Sequence, residues 1–310
     1  EGPLHPLMEF LFGLTVSLLL LVGGRLVLGI GGDLTIGEFS SFVFLFEGIQ
    51  WPMIALGWIG SIVQRGTTSW RRLKEILDNV PEVQDDANTD YSLRTVKGEI
   101  EFRNVSLTYS GRKVLDDVSF KIEAGESLGI TGRTGAGKTL IVNLITRVID
   151  PDAGQILIDG VDHRRYPVEV LRRFIGLVPQ EPFLFSVSIA ENIAYGLPEA
   201  PAEELQPRVE HAARLAQLHD ELGDFARGYG TELGERGVTL SGGQRQRTAI
   251  ARALIREPAI LIFDDALSAV DTQTEARILE GLAEVQEGRT TIVVAHRVSA
   301  FQNVDRIMVL

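Results

Sequence analysis

Residues 10 to 24, FLFGLTVSLLLLVGG, carry no charged side chain, and after Arg25 the apolar character resumes with LVLGI. Few environments accept such a run. With its flanks it reaches the ~20 residues that a bilayer requires, and it is too apolar for a solvent-facing helix. A cleaved leader is the rival reading, but no small-residue cleavage site precedes a soluble domain here. GGDLTIGE then makes a short glycine-rich turn, and a second run, FSSFVFLFEGIQWPMIALGWIGSIV, spans 39 to 63 with Glu47 as its sole charge. The pattern predicts a hairpin of two membrane helices, about 7–30 and 38–64.

Basic residues orient the hairpin. Positions 26 to 64 contain no Lys or Arg, whereas Arg65, Arg71, Arg72 and Lys74 follow the second run at once. The positive-inside rule therefore places the end of the second helix, and everything after it, in the cytoplasm; Arg25, near the outer turn, dissents. Glu47 is expected to face a bundle interior or, in a tilted helix, the interface. Pro52 is expected to kink its helix, with neighbours re-satisfying the freed carbonyl. A lone hairpin leaves its inward faces uncovered, so further helices are expected from upstream sequence, another chain or both. The ends at Glu1 and Leu310 read as trimmed, which makes the chain a piece of something longer.

Composition excludes several chemistries. A net charge of −12 argues against a nucleic-acid partner. The absence of cysteine rules out disulfides, thiolate zinc sites and cysteine nucleophiles. The five histidines, at 5, 163, 211, 219 and 296, have no metal-site spacing.

The 310 residues leave room for about two domains. Residues 1–74 read as the membrane part, closed by an exit helix in WRRLKEILDN before Pro81. Residues 75–98, acidic and without apolar periodicity, read as a linker, and 99–310 as a soluble domain. That domain opens with the strand-like runs EIEFRNVSLTY, VLDDVSFKIE and SLGIT, then alternates helical and strand patterns to its end. The expected fold is α/β over a partly parallel sheet, with an antiparallel β subdomain and a helical subdomain.

GRTGAGKT, residues 132 to 139, matches G-x-x-x-x-G-K-[ST] between the strand SLGIT and the helix LIVNLITRV. Gly132, Gly135 and Gly137 let the backbone around Arg133, Thr134 and Ala136 curl its N–H groups toward phosphate oxygens, reinforced by the helix dipole. Lys138 would set a positive charge against β- and γ-phosphates, and the Thr139 hydroxyl would ligate Mg²⁺. The run AILIF has the composition of a strand buried on both faces. It ends at Asp264, an acid placed to hold the same ion.

LSGGQ, residues 240 to 244, narrows this nucleotide-binding class. From here the chain resembles the ATP-binding-cassette family over 99 to 310. Tyr109 falls where the family stacks adenine, Gln180 at the Q-loop, TELGERG (231–237) at the segment before the signature of exporters, and SAVD (268–271) at the D-loop with Ser268, Ala269 and Asp271. His296 falls at the switch histidine. The hairpin upstream is similar to the last two helices of an exporter-type half-transporter with six. The resemblance implies ATP and Mg²⁺ as cofactors, with Gln180 joining Thr139 and Asp264 at the metal. It implies a head-to-tail pair of cassettes in which Leu240, Ser241, Gly242, Gly243 and Gln244 act on the partner's ATP. It also implies that loops of the membrane part dock beside Gln180 to Gly196, where Phe183, Phe185 and Tyr195 are either interface or core.

Most hydrolytically active cassettes carry glutamate after the aspartate that holds the metal; here the residue is Asp265. Its reach is shorter by about 1.3 Å, and a misplacement of about 1 Å can slow catalysis on the order of 10²-fold. A shortened acid beside an intact LSGGQ matches one half of a heterodimer with a degenerate site. The alternatives are a homodimer in which Asp265 serves, an ATP-binding regulatory subunit, and a soluble cassette ATPase without transport. The cargo class stays open among drug-like small molecules, lipids and peptides.

Overall fold

The structure is a computed structural model that describes residues 4–197, 201–234, 240–266, 278 and 288–310. The chain divides into two compact units, one ending at Val80 and one beginning at Pro81.

The first unit is a helical hairpin, α1 (Leu4–Val27) and α2 (Ile36–Leu77). Thr35 starts α2 with a reciprocal cap: its hydroxyl accepts the Glu38 N–H while the Glu38 carboxylate accepts the Thr35 N–H at 3.0 Å. The helix then runs unbroken through Pro52 for 42 residues, so the second apolar run and the basic segment after it share one rod. Phe12 stacks on Phe46 across the hairpin at 5.7 Å. No described side chain of α2 is buried, and Phe44 and Trp51 are 77% and 74% exposed. Both helices are long and apolar enough to cross a membrane. An apolar surface on every side of a helix is stable only against lipid or other helices.

The second unit has the architecture expected from the sequence. Strands β1 (Ile100–Tyr109), β2 (Arg112–Ile122), β4 (Ala153–Ile158) and β5 (Val161–Asp162) form an antiparallel sheet in the order β2-β1-β4-β5. Strands β3 (Ser127–Thr131), β6 (Ile175–Val178), β7 (Ile260–Asp264), β8 (Thr290–Val294) and β9 (Arg306–Val309) form a parallel sheet in the order β6-β7-β8-β3-β9. Ile260 and Ile262 pack into the core shared with the antiparallel sheet and α3 (Lys138–Ile145), whereas Leu261 and Phe263 pack into the core shared with the helices. This two-sided burial is the physical reason the strand is apolar at every position until its last. Helix α4 (Val168–Arg173) precedes β6, and the helical subdomain carries α5 (Ile189–Ala194), α6 (Ala202–Leu215) and α7 (Gly242–Leu254).

The acidic segment after Pro81 is held against this unit. Val168 donates its N–H to Asp85 at 2.8 Å, and the buried Arg147 donates to the Gln84 carbonyl. The Asp159 carboxylate accepts the N–H groups of Lys97, Gly98 and Glu99 at 2.6, 3.0 and 3.0 Å.

Candidate nucleotide site and signature turn

The parallel sheet ends its strands on one side, and the loop from β3 into α3 lies there. Gly137 is the N-cap of α3 with φ 99°, a left-handed conformation open to glycine, and a Cβ on it would meet Val114 and Leu115 at 3.1 and 3.2 Å. Among the described residues no side chain caps α3, so its first-turn N–H groups are open to a ligand. Lys138, 7% exposed, folds back and donates to the carbonyls of Gly132 and Arg133, each at 3.0 Å. Arg133, Thr134 and Gly135 form the exposed lip of the loop, tightened by an Ala136 N–H to Arg133 carbonyl bond of 3.1 Å.

Asp264 closes β7 and is buried beside that loop. The Thr139 side chain hydrogen-bonds it although the two residues are far apart in sequence. Burial pushes the Asp264 carboxyl above its ordinary range, and the neighbouring Asp265 adds to the rise; the Thr139 bond, Lys138 and His296 pull the other way. A buried carboxylate and a hydroxyl converging beside a cradle of N–H groups fit a nucleotide-bound divalent cation.

Asp265 follows with φ 50° and donates its N–H to the Val294 carbonyl at 2.8 Å. Its carboxylate accepts from Gln180 Nε2 at 3.3 Å, so Gln180 and the second acid meet. His296, exposed just past β8, lies within electrostatic reach of Asp264. Tyr109 ends β1 and is 56% exposed. The structure thus gathers Lys138, Thr139, Asp264, Asp265, Gln180 and His296 about one place. Ser268, Ala269 and Asp271 lie outside the described residues, as do residues 235–237 of the TELGERG segment.

The signature turn is built differently. Leu240 is buried and Ser241 is the N-cap of α7. Its hydroxyl accepts the Gln244 N–H at 3.2 Å, and Gln244 Oε1 accepts the Ser241 N–H at 3.0 Å. That capping box occupies two of the four first-turn N–H groups and leaves those of Gly242 and Gly243 for an anion.

Two residues absent from every motif organise the surroundings. Arg252 of α7 donates to the Asn192 carbonyl and side chain at 2.8 and 2.7 Å and to the Phe183 carbonyl at 2.7 Å. Its guanidinium also lies over the Phe185 and Tyr195 rings at 5.7 and 5.8 Å. Phe183 and Tyr195 are exposed and Phe185 is half-buried, so this patch is a surface braced from below. The only sequence signal for Arg252 is a lone charge inside AIARALI. Glu221, in the short 3-10 helix Asp220–Asp224, bonds Gln244 and Arg247 and has no sequence signal at all.

A glycine cradle at a helix N-terminus, an acid at the end of the adjacent buried strand and an antiparallel sheet bearing an exposed aromatic define a P-loop nucleotide-binding domain. The family model "ABC transporter" matches residues 115–268. The chain is 40% identical over 294 residues to the multidrug resistance-like ATP-binding protein MdlA of Escherichia coli, covering 94% of this chain and 49% of that protein. It is 41% identical over 305 residues to the ATP-dependent lipid A-core flippase of Syntrophus aciditrophicus, covering 98% and 50%. A solved bacterial Atm1-family ABC exporter with ATP bound aligns with TM-score 0.74 and 36% identity, covering 98% of this chain and 53% of that one. The chain belongs to the ABC transporter family, of the exporter type that joins membrane helices to a nucleotide-binding domain. It spans about half the length of the curated relatives it matches. The two apolar helices and the domain after them are those of an integral membrane protein with its nucleotide-binding domain in the cytoplasm.

Proposed function

We propose that this chain works in an ABC exporter that couples ATP binding and hydrolysis to movement of a small amphipathic molecule, lipid or peptide across the membrane. Its own ATP site would turn over slowly, and its signature turn would complete the site of a second, different half-transporter. The observation that carries this reading is the pairing of an intact, fully capped signature with an acid one methylene short beside Gln180.

Each residue has a role in that scheme. Tyr109 offers an exposed ring face to the adenine. Lys138 exchanges the carbonyls of Gly132 and Arg133 for β- and γ-phosphate oxygens, so its charge is held in place before the ligand arrives. Thr139 and Asp264, with Gln180, would hold Mg²⁺, which when bound neutralises charge on the phosphates. Asp265 orients the attacking water or takes its proton. The acceptor must come within about 2.6–3.2 Å of that water. His296, within electrostatic reach of Asp264, would be a further polar contact to the reacting phosphate. Phe183, Phe185 and Tyr195, braced by Arg252, would receive the cytoplasmic ends of membrane helices.

Replacing Asp265→Glu in the full-length transporter, purified with its partner, tests the slow site. Turnover at that site should rise on the order of tenfold or more, the reach being restored. Unchanged turnover with the pairing intact would show that the length of this acid is not what limits hydrolysis. Vigorous Mg²⁺-dependent hydrolysis by the full-length chain purified alone would favour a homodimer instead.

A further inference from the structure

Gln244 is the last letter of the signature, yet both ends of its amide are engaged inside this chain. Oε1 accepts the Ser241 N–H at 3.0 Å, and Nε2 donates to Glu221 Oε2 at 3.1 Å. The same Glu221 oxygen accepts from Arg247 Nη2 at 2.6 Å. An amide side chain has a donor end and an acceptor end, and its orientation is set by its neighbours. A carboxylate can only accept, so Glu221 obliges Gln244 to present Nε2 to it and therefore Oε1 to Ser241. Rotated by half a turn, Gln244 would set an NH₂ group against the Ser241 N–H and the capping box would open.

We infer that Glu221 is a positioning residue for the signature turn. Through the Gln244 amide it keeps the Ser241 cap closed, so that the Gly242 and Gly243 N–H groups and the Ser241 hydroxyl proton stay aimed outward for a γ-phosphate carried by a second nucleotide-binding domain. This rests on the reading that the turn clamps ATP across a dimer. It reassigns Gln244 from a phosphate contact to an internal brace. Glu221 lies 23 residues before Gln244 and 26 before Arg247. Arg247, whose side chain is only 8% exposed, is the counter-ion that keeps the carboxylate in place. A turn preset in this way loses little freedom when the phosphate binds.

The test uses the full-length transporter, assembled with its partner, and steady-state Mg²⁺-ATP hydrolysis. Glu221→Ala should lower kcat about tenfold with the half-saturating ATP concentration changed less than about twofold, because the turn acts in the closed state and not in first capture. Glu221→Gln should retain more than about half of the turnover, since its amide oxygen can occupy the same spot. Arg247→Met added to Glu221→Ala separates the brace from a simple ion pair. Turnover that stays low supports the brace, and turnover that recovers overturns it, because Glu221 would then serve only to neutralise Arg247. Gly242→Asp, which sets a carboxylate where the phosphate would lie, is the reference for the turn itself. Full turnover in Glu221→Ala while Gly242→Asp abolishes hydrolysis would overturn the inference alone. Full turnover in Gly242→Asp would overturn the dimer clamp and this inference with it.

Discussion

The N-termini of α3 and α7 are both glycine-rich turns suited to phosphate, and they are prepared in opposite ways. At α3 the N-cap is a glycine in the left-handed region with no side chain to close the turn. Lys138 folds into the loop and rests on the carbonyls of Gly132 and Arg133. At α7 the N-cap is Ser241, closed by Gln244 and braced by Glu221. The first turn is open and depends on its ligand; the second is formed before any ligand comes. A loop that wraps a phosphate must keep its N–H groups uncommitted. A turn that meets a nucleotide already seated elsewhere gains by being rigid.

Removing the charge that fills the open turn is the harshest way to break this contrast. Lys138→Met should weaken ATP binding on the order of 10²-fold, since charge-assisted bonds contribute about 1.5–3 kcal/mol each; displacement of a fluorescent ATP analogue from the full-length chain measures it. Closing the open turn sterically comes next. Gly137→Ala forces a Cβ into a positive-φ position against Val114 and Leu115. It should cost about 1–3 kcal/mol of stability and weaken nucleotide binding in proportion, as read by denaturation and the same displacement. Opening the closed turn is the mildest change. Ser241→Ala should cost about 1 kcal/mol, lowering the melting temperature by about 2–4 °C for a domain of this size, while leaving affinity at the chain's own P-loop unchanged. Equal losses of affinity from Gly137→Ala and Ser241→Ala would erase the distinction between the two turns.

Legibility followed the range of the interactions. The cradle around residues 132–139 and the cap at 241–244 are local, each motif supplying its own bonds within a few residues; spacing located the first, and resemblance to the family located the second. The Thr35–Glu38 cap of α2 is equally local, T-x-x-E before an apolar run, but in the sequence GGDLTIGE reads only as a glycine-rich turn. The last acid of the apolar run 260–264 was readable as a ligand candidate because a charge ending a two-sided strand needs a partner. The brace from Glu221 and the fan of bonds from Arg252 to Asn192 and Phe183 span 23 to 69 residues. No spacing rule reaches that far.

By itself the sequence determined which glycine-rich turn suits phosphate, which strand ends in an acid and which helices are too apolar for water. These follow from side-chain chemistry read against helix and strand periodicity. Tertiary structure alone decided that Gln180 meets Asp265 and that Gln244 faces inward to Glu221. Strand order and the packing of the helical subdomain bring those groups together, and the free energy of folding is spread over cores that no single motif contains.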